Sequence, residues 1–263
     1  MSIYVVTGGA NGIGKATADL LRQRGNEVCV VDNEGGDVIA DLGKDTGRRE
    51  AVSLIRQRYP EGIDGLACIA GISFPKPDNG SILSVNYFGA VAMAEGLFEL
   101  LKQRSGACVM TASASVTWIP KGGGGHVAEL LTECGDEQRI LSLVNSFAPD
   151  APYNMYLTSK LALARWARRH STQWAVEGVR LTVVAPGCVD TRLGNLAPPG
   201  AAVNESFHQT IPGCYNDLSI MPPWELAEVN AFLLSRESAG IVGSVVYADA
   251  GQETFFNMDK VYF

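Results

Sequence analysis

Near the start of the chain, Thr7-Gly8-Gly9-Ala10-Asn11-Gly12-Ile13-Gly14 stands between the apolar run Ile3-Tyr4-Val5-Val6 and a helical pattern from Lys15 to Leu21 that closes at Gly25. A β-branched run, a glycine-rich turn and a helix, in that order, predict a strand feeding a helix through a tight turn. Glycines at 8, 12 and 14 let the backbone turn sharply, approach a pyrophosphate without a side chain in the way, and seat the helix on the strand; the helix N-terminus then faces the phosphates. Glycine spacing alone also describes a plain turn, and the flanking elements are what make the pattern specific.

The same alternation continues. Glu27-Val28-Cys29-Val30-Val31 reads as a strand ending at Asp32, where a carboxylate accepts from the adenosine ribose hydroxyls and repels a 2′-phosphate. With no arginine beside it to receive such a phosphate, the expected cofactor is NAD; the alternative is a residue that merely solvates a strand end. Asn33-Glu34-Gly35-Gly36 is too short to hold a helix before the next strand, Asp37 to Leu42, so one crossover helix is missing and Asp41 falls near the adenine. A helix over Gly43 to Pro60, a strand over Gly65 to Gly71, a helix from Leu83 to Leu101 and a strand from Gly106 to Ser113 follow. A strand over Val179 to Ala185, a helix over Trp224 to Ser235 and a strand over Ser244 to Ala248 complete the pattern. Strands alternating with helices predict one α/β domain over 1–263, a Rossmann-like doubly wound parallel sheet with helices on both faces.

Two stretches interrupt it. Residues 119–152 hold Gly122-Gly123-Gly124-Gly125 and two amphipathic patterns, Val127 to Cys134 and Ile140 to Phe147, and are expected to shape substrate access or to cover a surface used for pairing in relatives, with neutral decoration as the remaining alternative. Residues 192–223 carry prolines at 198, 199, 212, 222 and 223 with Leu193, Phe207, Tyr215 and Met221, a composition expected of a substrate lid.

Tyr156 and Lys160 are four apart in a helical run and share one face. An ammonium beneath a phenol favours the phenolate and makes a general acid/base of it, although the spacing by itself also fits an ordinary exposed pair. Ser113 or Ser115 faces the ligand edge at the end of its strand, and Pro186-Gly187 with Thr191 offers backbone groups and a hydroxyl for a carboxamide. Asn86 is a polar residue in an apolar helix, for which a packing hydrogen bond is the reading from pattern. The formal charge of −7 and the lack of a Lys/Arg block argue against nucleic-acid or anionic-membrane partners. No basic and apolar leader opens the chain and no apolar run is long enough for a bilayer, so the cytoplasm is the expected location. Six cysteines without metal spacing and three scattered histidines predict no metal, with Cys29, Cys68 and Cys108 as reduced core residues. The apolar tail Val261-Tyr262-Phe263 hints at self-association.

Taken in order, Thr7 to Gly14, Asn86, Ser113, Tyr156 with Lys160, and Pro186-Gly187 with Thr191 resemble the short-chain dehydrogenase/reductase family over nearly the whole chain. The missing crossover helix, Ser84-Val85-Asn86-Tyr87-Phe88-Gly89 and the long insertion resemble its bacterial 3α-hydroxysteroid dehydrogenase/carbonyl reductase branch. The resemblance implies Tyr156 as general acid/base, Lys160 as the group that lowers its pKa and binds the nicotinamide ribose, Ser113 on the substrate oxygen, and Asn86 in a proton relay through a local helix distortion. It further implies Gly8, Asn11, Gly12, Ile13 and Gly14 at the pyrophosphate, and Asp32, Asp41 and Leu42 on the adenosine half. Ala70 and Gly71 would form the adenine-side wall, and Pro186, Gly187, Val189 and Thr191 would lie at the carboxamide. It implies a hydrophobic secondary alcohol or ketone as substrate, a steroid or bile acid before a polyol, sugar or small cyclic alcohol, and a homo-oligomer, dimer or tetramer. A non-catalytic NAD sensor is the rival from another class. Three departures stand out: Ile69-Ala70-Gly71 for the family's Asn-Ala-Gly, Ala112-Ser113 for paired serines, and Asp249-Ala250-Gly251 for Asp-Gly-Gly.

Overall fold

The computed structural model describes residues 1–73, 78–118, 125–147, 155–193 and 220–259. Its centre is one parallel sheet of β1 (Ile3–Thr7), β2 (Glu27–Asp32), β3 (Val38–Ile39), β4 (Gly65–Cys68), β5 (Ala107–Thr111), β6 (Arg180–Pro186) and β7 (Val245–Ala248). The strands lie in the order β3-β2-β1-β4-β5-β6-β7, and all neighbours run parallel. A parallel sheet covered on both faces buries every residue of its central strands, which is why β4 and β5 read as unbroken apolar runs. Side chains alternate between two cores: Val5, Cys29, Leu66 and Cys108 point to one face, and Val6, Val30, Ala67 and Val109 to the other. The three cysteines expected in the core are there, buried and reduced.

On the second face α1 (Gly12–Gln23) packs against a helix late in the chain, Pro223–Leu234. The first face holds α2 (Asp45–Arg58), α3 (Asn79–Leu83), α4 (Ala90–Gly96), α5 (Phe98–Gln103), α6 (Gly125–Cys134), α7 (Glu137–Asn145) and α8 (Met155–Val176). The late helix is α9, and α10 (Gln252–Asn257), which the sequence pattern did not suggest, follows β7.

The crossover helix between β2 and β3 is missing as expected. The connecting loop is held by Asp37, whose backbone N–H donates to the Val30 carbonyl at 2.9 Å and whose carboxylate accepts the Val30 N–H at 2.8 Å. The predicted strand from Asp37 to Leu42 shortens to Val38–Ile39, because Asp41 turns the chain by accepting the Gly43 N–H at 2.9 Å. The continuous helix predicted from Leu83 to Leu101 is interrupted twice, by a π-helix over Ser84–Gly89 and by a break at Leu97, where φ is −106° and ψ 5°.

Both predicted helices of the insertion form. Val127, Ala128, Leu131, Ile140 and Val144 join the first core, and α6 lies along α8. Gly122 to Gly124, most of the expected lid (194–219) and the apolar tail lie outside the described residues; of the lid's flanks, Met221 is buried and bridges to Val189.

Candidate active site

The strand order reverses between β1 and β4, and in open α/β sheets such a reversal leaves a crevice at the carboxyl ends of the strands. Thr7, the last residue of β1 and almost fully buried, ties the two rims: its hydroxyl accepts from the Ile69 N–H at 3.1 Å and the Ala70 N–H at 3.2 Å. Against this fixed edge lies the glycine turn. A Cβ on Gly8, at φ +70°, would stand 2.7 Å from Ala70 Cα, and one on Gly14 would stand 2.1 Å from the Gly8 carbonyl oxygen, so neither position accepts a side chain. Gly12, at φ +52°, faces Thr191, whose Cγ2 would lie 3.1 Å from an added Cβ. The turn at the start of the chain and the loop after β6 therefore meet.

Asp32, at the end of β2, lies against the glycine turn, its Oδ2 accepting the Ala10 N–H at 3.0 Å. Asn11 is exposed at the α1 N-cap and makes no capping bond, while Ile13 packs on the second core. Asp41 lies on the neighbouring loop, its carboxylate engaged by the Gly43 N–H and by Lys44 at 3.1 Å. The Leu42 side chain is in the core, which leaves only its backbone to face a ligand.

The chemistry-bearing residues gather at the ends of β4 and β5. Asn86 is wholly buried, accepting the Ile72 N–H at 2.8 Å and donating to the Ile72 carbonyl at 3.0 Å and to Ser159 Oγ at 3.3 Å. Ser159 in turn donates to the Tyr156 carbonyl at 2.7 Å. The packing bond read from pattern and the helix distortion implied by the resemblance are thus both present, since the π-helix is the distortion that puts Asn86 here. Gly71 separates Asn86 from the lysine: a Cβ there would lie 3.3 Å from Asn86 Oδ1 and 3.5 Å from Lys160 Nζ.

Lys160 Nζ donates to the Thr111 carbonyl at 2.8 Å and sits 5.8 Å from the centre of the Tyr156 ring. Burial raises the pKa of Tyr156 above that of a free phenol; the Ser113 hydroxyl is what pulls it down, and the Cys188 thiol pushes it up. Burial also pulls Lys160 down to about 8, because an ammonium out of water favours its neutral form.

Ser113 and Ser115 both face the site and are nearly buried, their hydroxyl oxygens 2.7 Å apart, so the choice between them becomes a pair. After β6, Gly187 N–H donates to the Ala248 carbonyl at 3.2 Å, and Gln252 Oε1 accepts the Cys188 N–H at 3.3 Å. Wholly buried Gln252 thereby holds the loop that carries Val189 and Thr191. It sits in α10 because Asp249 caps that helix, accepting from the Gly251 and Glu253 N–H groups. Ala250 takes φ +54°, a left-handed conformation a glycine would adopt without strain.

Sequence reasoning placed Thr7 in the glycine motif without giving it a role, and missed Ser159 and Gln252. Each is a polar side chain whose importance comes from a backbone group it meets, a signal that a single sequence does not carry. Among the described residues no group of three His, Cys, Asp or Glu side chains is arranged to hold a metal ion, and no helix is long and apolar enough to cross a membrane.

A family model described as enoyl-(acyl carrier protein) reductase matches residues 139–253. The chain is 30% identical over 259 residues to the 3-alpha-hydroxysteroid dehydrogenase/carbonyl reductase of Comamonas testosteroni, covering 95% of this chain and 96% of that one. It is 27% identical to the cis-4-hydroxycyclohexanecarboxylate dehydrogenase of Sinomonas cyclohexanicum, over 95% of each chain. The crystal structure of the 3-alpha-hydroxysteroid dehydrogenase from Pseudomonas sp. B-0831 complexed with NADH superposes with a TM-score of 0.88 at 34% identity, covering 99% of this chain and all of that one.

Proposed function

Since the chain belongs to the short-chain dehydrogenase/reductase family, we propose that this oxidoreductase is an NAD-dependent dehydrogenase of hydrophobic secondary alcohols, acting on the 3α-hydroxyl of a steroid or bile acid. The observation that carries the reading is the convergence of Ser113, Tyr156 and Lys160 at the end of β5, beside a glycine turn that meets Thr191.

The residues fit a dinucleotide. Gly8, Gly12 and Gly14 make a turn packed too closely on Ala70, on its own backbone and on Thr191 to carry side chains, the α1 N-terminus presents backbone donors, and a carboxylate at Asp32 would repel a 2′-phosphate. NAD, when bound, supplies the hydride acceptor for oxidation of the carbinol carbon. Tyr156 Oη takes the hydroxyl proton, and Ser113 Oγ donates to the oxygen as its charge changes. Lys160 Nζ, fixed by the Thr111 carbonyl, holds positive charge on the tyrosine's side of the site. Asn86 and Gly71 border the lysine where a proton path would leave it. The steroid assignment rests on the 30% and 34% identical relatives; the 27% identical relative supports a cyclic alcohol as the second reading.

The test follows NADH formation by absorbance with 3α-, 3β-, 7- and 12-hydroxysteroids beside cyclic alcohols and polyols, each with NAD and with NADP. Turnover of 3α-hydroxysteroids with NAD is expected, and turnover confined to small alcohols would overturn the steroid assignment. Tyr156→Phe is expected to abolish turnover while leaving NADH binding, followed by fluorescence, within about twofold. Full activity in that variant would remove the catalytic assignment.

A further inference from the structure

The pairing of Ser113 with Ser115 has a direction. The two hydroxyl oxygens are 2.7 Å apart, and Ser113 Oγ also accepts the Ser115 backbone N–H at 3.3 Å. The backbone leaves little slack, because a 3₁₀ turn over Ala114–Trp118 begins at once and the Val116 N–H donates to the Ser113 carbonyl at 3.2 Å. A serine oxygen has two acceptor sites and one hydrogen to give. The Ser115 N–H occupies one site. If Ser113 spent its hydrogen on Ser115, none would remain for the phenolate or for a substrate oxygen. In the role proposed above, Ser113 gives its hydrogen to the substrate oxygen, so that hydrogen is not available to Ser115. The second site on Ser113 then takes the Ser115 hydroxyl hydrogen.

We propose that Ser115 is a positioning residue acting through Ser113, its hydroxyl donating to Ser113 Oγ so that the Ser113 hydrogen is committed to the oxygen that Tyr156 serves. The inference rests on the roles given above to Tyr156 and Ser113. Hydrogen bonds in a chain polarise one another, so the outer hydroxyl strengthens the donor that meets the developing charge. Without Ser115 Oγ, Ser113 is free to turn its hydrogen elsewhere, the phenolate loses stabilisation, and less of it is present at a given pH.

Among the described residues, the titratable groups facing Tyr156 are Lys160 from its own helix and the Cys188 thiol from the loop after β6. Ser115→Ala leaves both in place. With an alcohol that the wild type oxidises, S115A is expected to lower kcat about fivefold, the effect of one neutral hydrogen bond. It should also move the rising acid limb of the kcat profile to higher pH and leave NADH binding unchanged. Ser115→Thr, which keeps the hydroxyl, is expected to restore both rate and profile. Should S115A precipitate, Ser115→Cys carries the test, since a weaker donor of similar shape shifts the profile in the same direction. An S115A enzyme with wild-type rate and profile, while S113A loses both, would overturn the proposal and leave the roles of Tyr156 and Ser113 standing. A folded S115T that fails to restore the rate would overturn it as well, by assigning the effect to packing. Undiminished turnover by Y156F would remove the reading and the proposal together.

Discussion

Lys160 keeps its ammonium in a place almost closed to water, where the Thr111 carbonyl accepts from it at 2.8 Å. Its value of about 8, against 10.5 for a free lysine, means that the unfolded chain holds the proton more tightly. The folded state therefore gains stability as pH rises from about 8 to 10.5, and carries the full penalty below about 8. Lys160→Met should remove turnover but raise the stability of the protein without cofactor by about 2 kcal/mol near pH 7. The gain over wild type should shrink as pH climbs through that window, as urea denaturation at several pH values would register. A constant difference across the window would show that burial is not what the lysine endures. Spacing made Tyr156 and Lys160 legible as a pair on one face. It could not say which of them burial would dominate, because the covering groups come from β5 and from loops distant in the chain. The roles of Thr7, Ser159 and Gln252 were hidden for the same reason: each residue bonds backbone or side chains outside its own pattern, at Ile69 and Ala70, at Asn86, and at Cys188.

The π-helix over Ser84–Gly89 shows what an element needs when it departs from regular geometry. Asn86 clamps it to Ile72 from one side, and Arg48 of α2 holds it from the other, donating to the Ser84 carbonyl at 2.7 Å and to the Leu42 carbonyl at 2.7 Å. Arg48 is buried and also forms a two-pronged pair with Glu137, the first residue of α7, at 2.6 and 2.8 Å. The insertion is therefore fastened to the loop below Asp41 and to the turn that carries Asn86. Glu137→Ala leaves a buried guanidinium without its carboxylate and should cost about 2–4 kcal/mol in urea denaturation, with little response to added salt. A loss below about 0.5 kcal/mol would class the pair with ordinary surface bridges. The sequence disclosed a helix from Leu83 onward because its apolar residues recur at helical spacing. The extra residue in the π-turn, like the break at Leu97, is set by partners on other elements and leaves that spacing almost unchanged.

For the molecule as a whole, the alternation of strands and helices was legible almost entirely, including the crossover helix absent between β2 and β3. From sequence, residues 119–152 suit substrate access and the covering of a pairing surface equally. Its helices are sealed to the first core through Leu131, Ile140 and Val144, and α6 covers a side of α8, which favours covering a surface over gating a substrate. Replacing 119–152 by a short glycine linker should bare that side, and light scattering should then report a larger assembly than the wild type forms. An unchanged mass would return the insertion to substrate access. The strand order carries a consequence of another kind. β1 is made first and lies inside the sheet, β2 and β3 are added outward on one flank, and β4 to β7 are added outward, one after another, on the other. Among the described residues no strand has to be threaded between two that are already paired. A chain emerging from the ribosome can build this sheet in the order in which it is translated, with each growing edge awaiting only the next strand to appear.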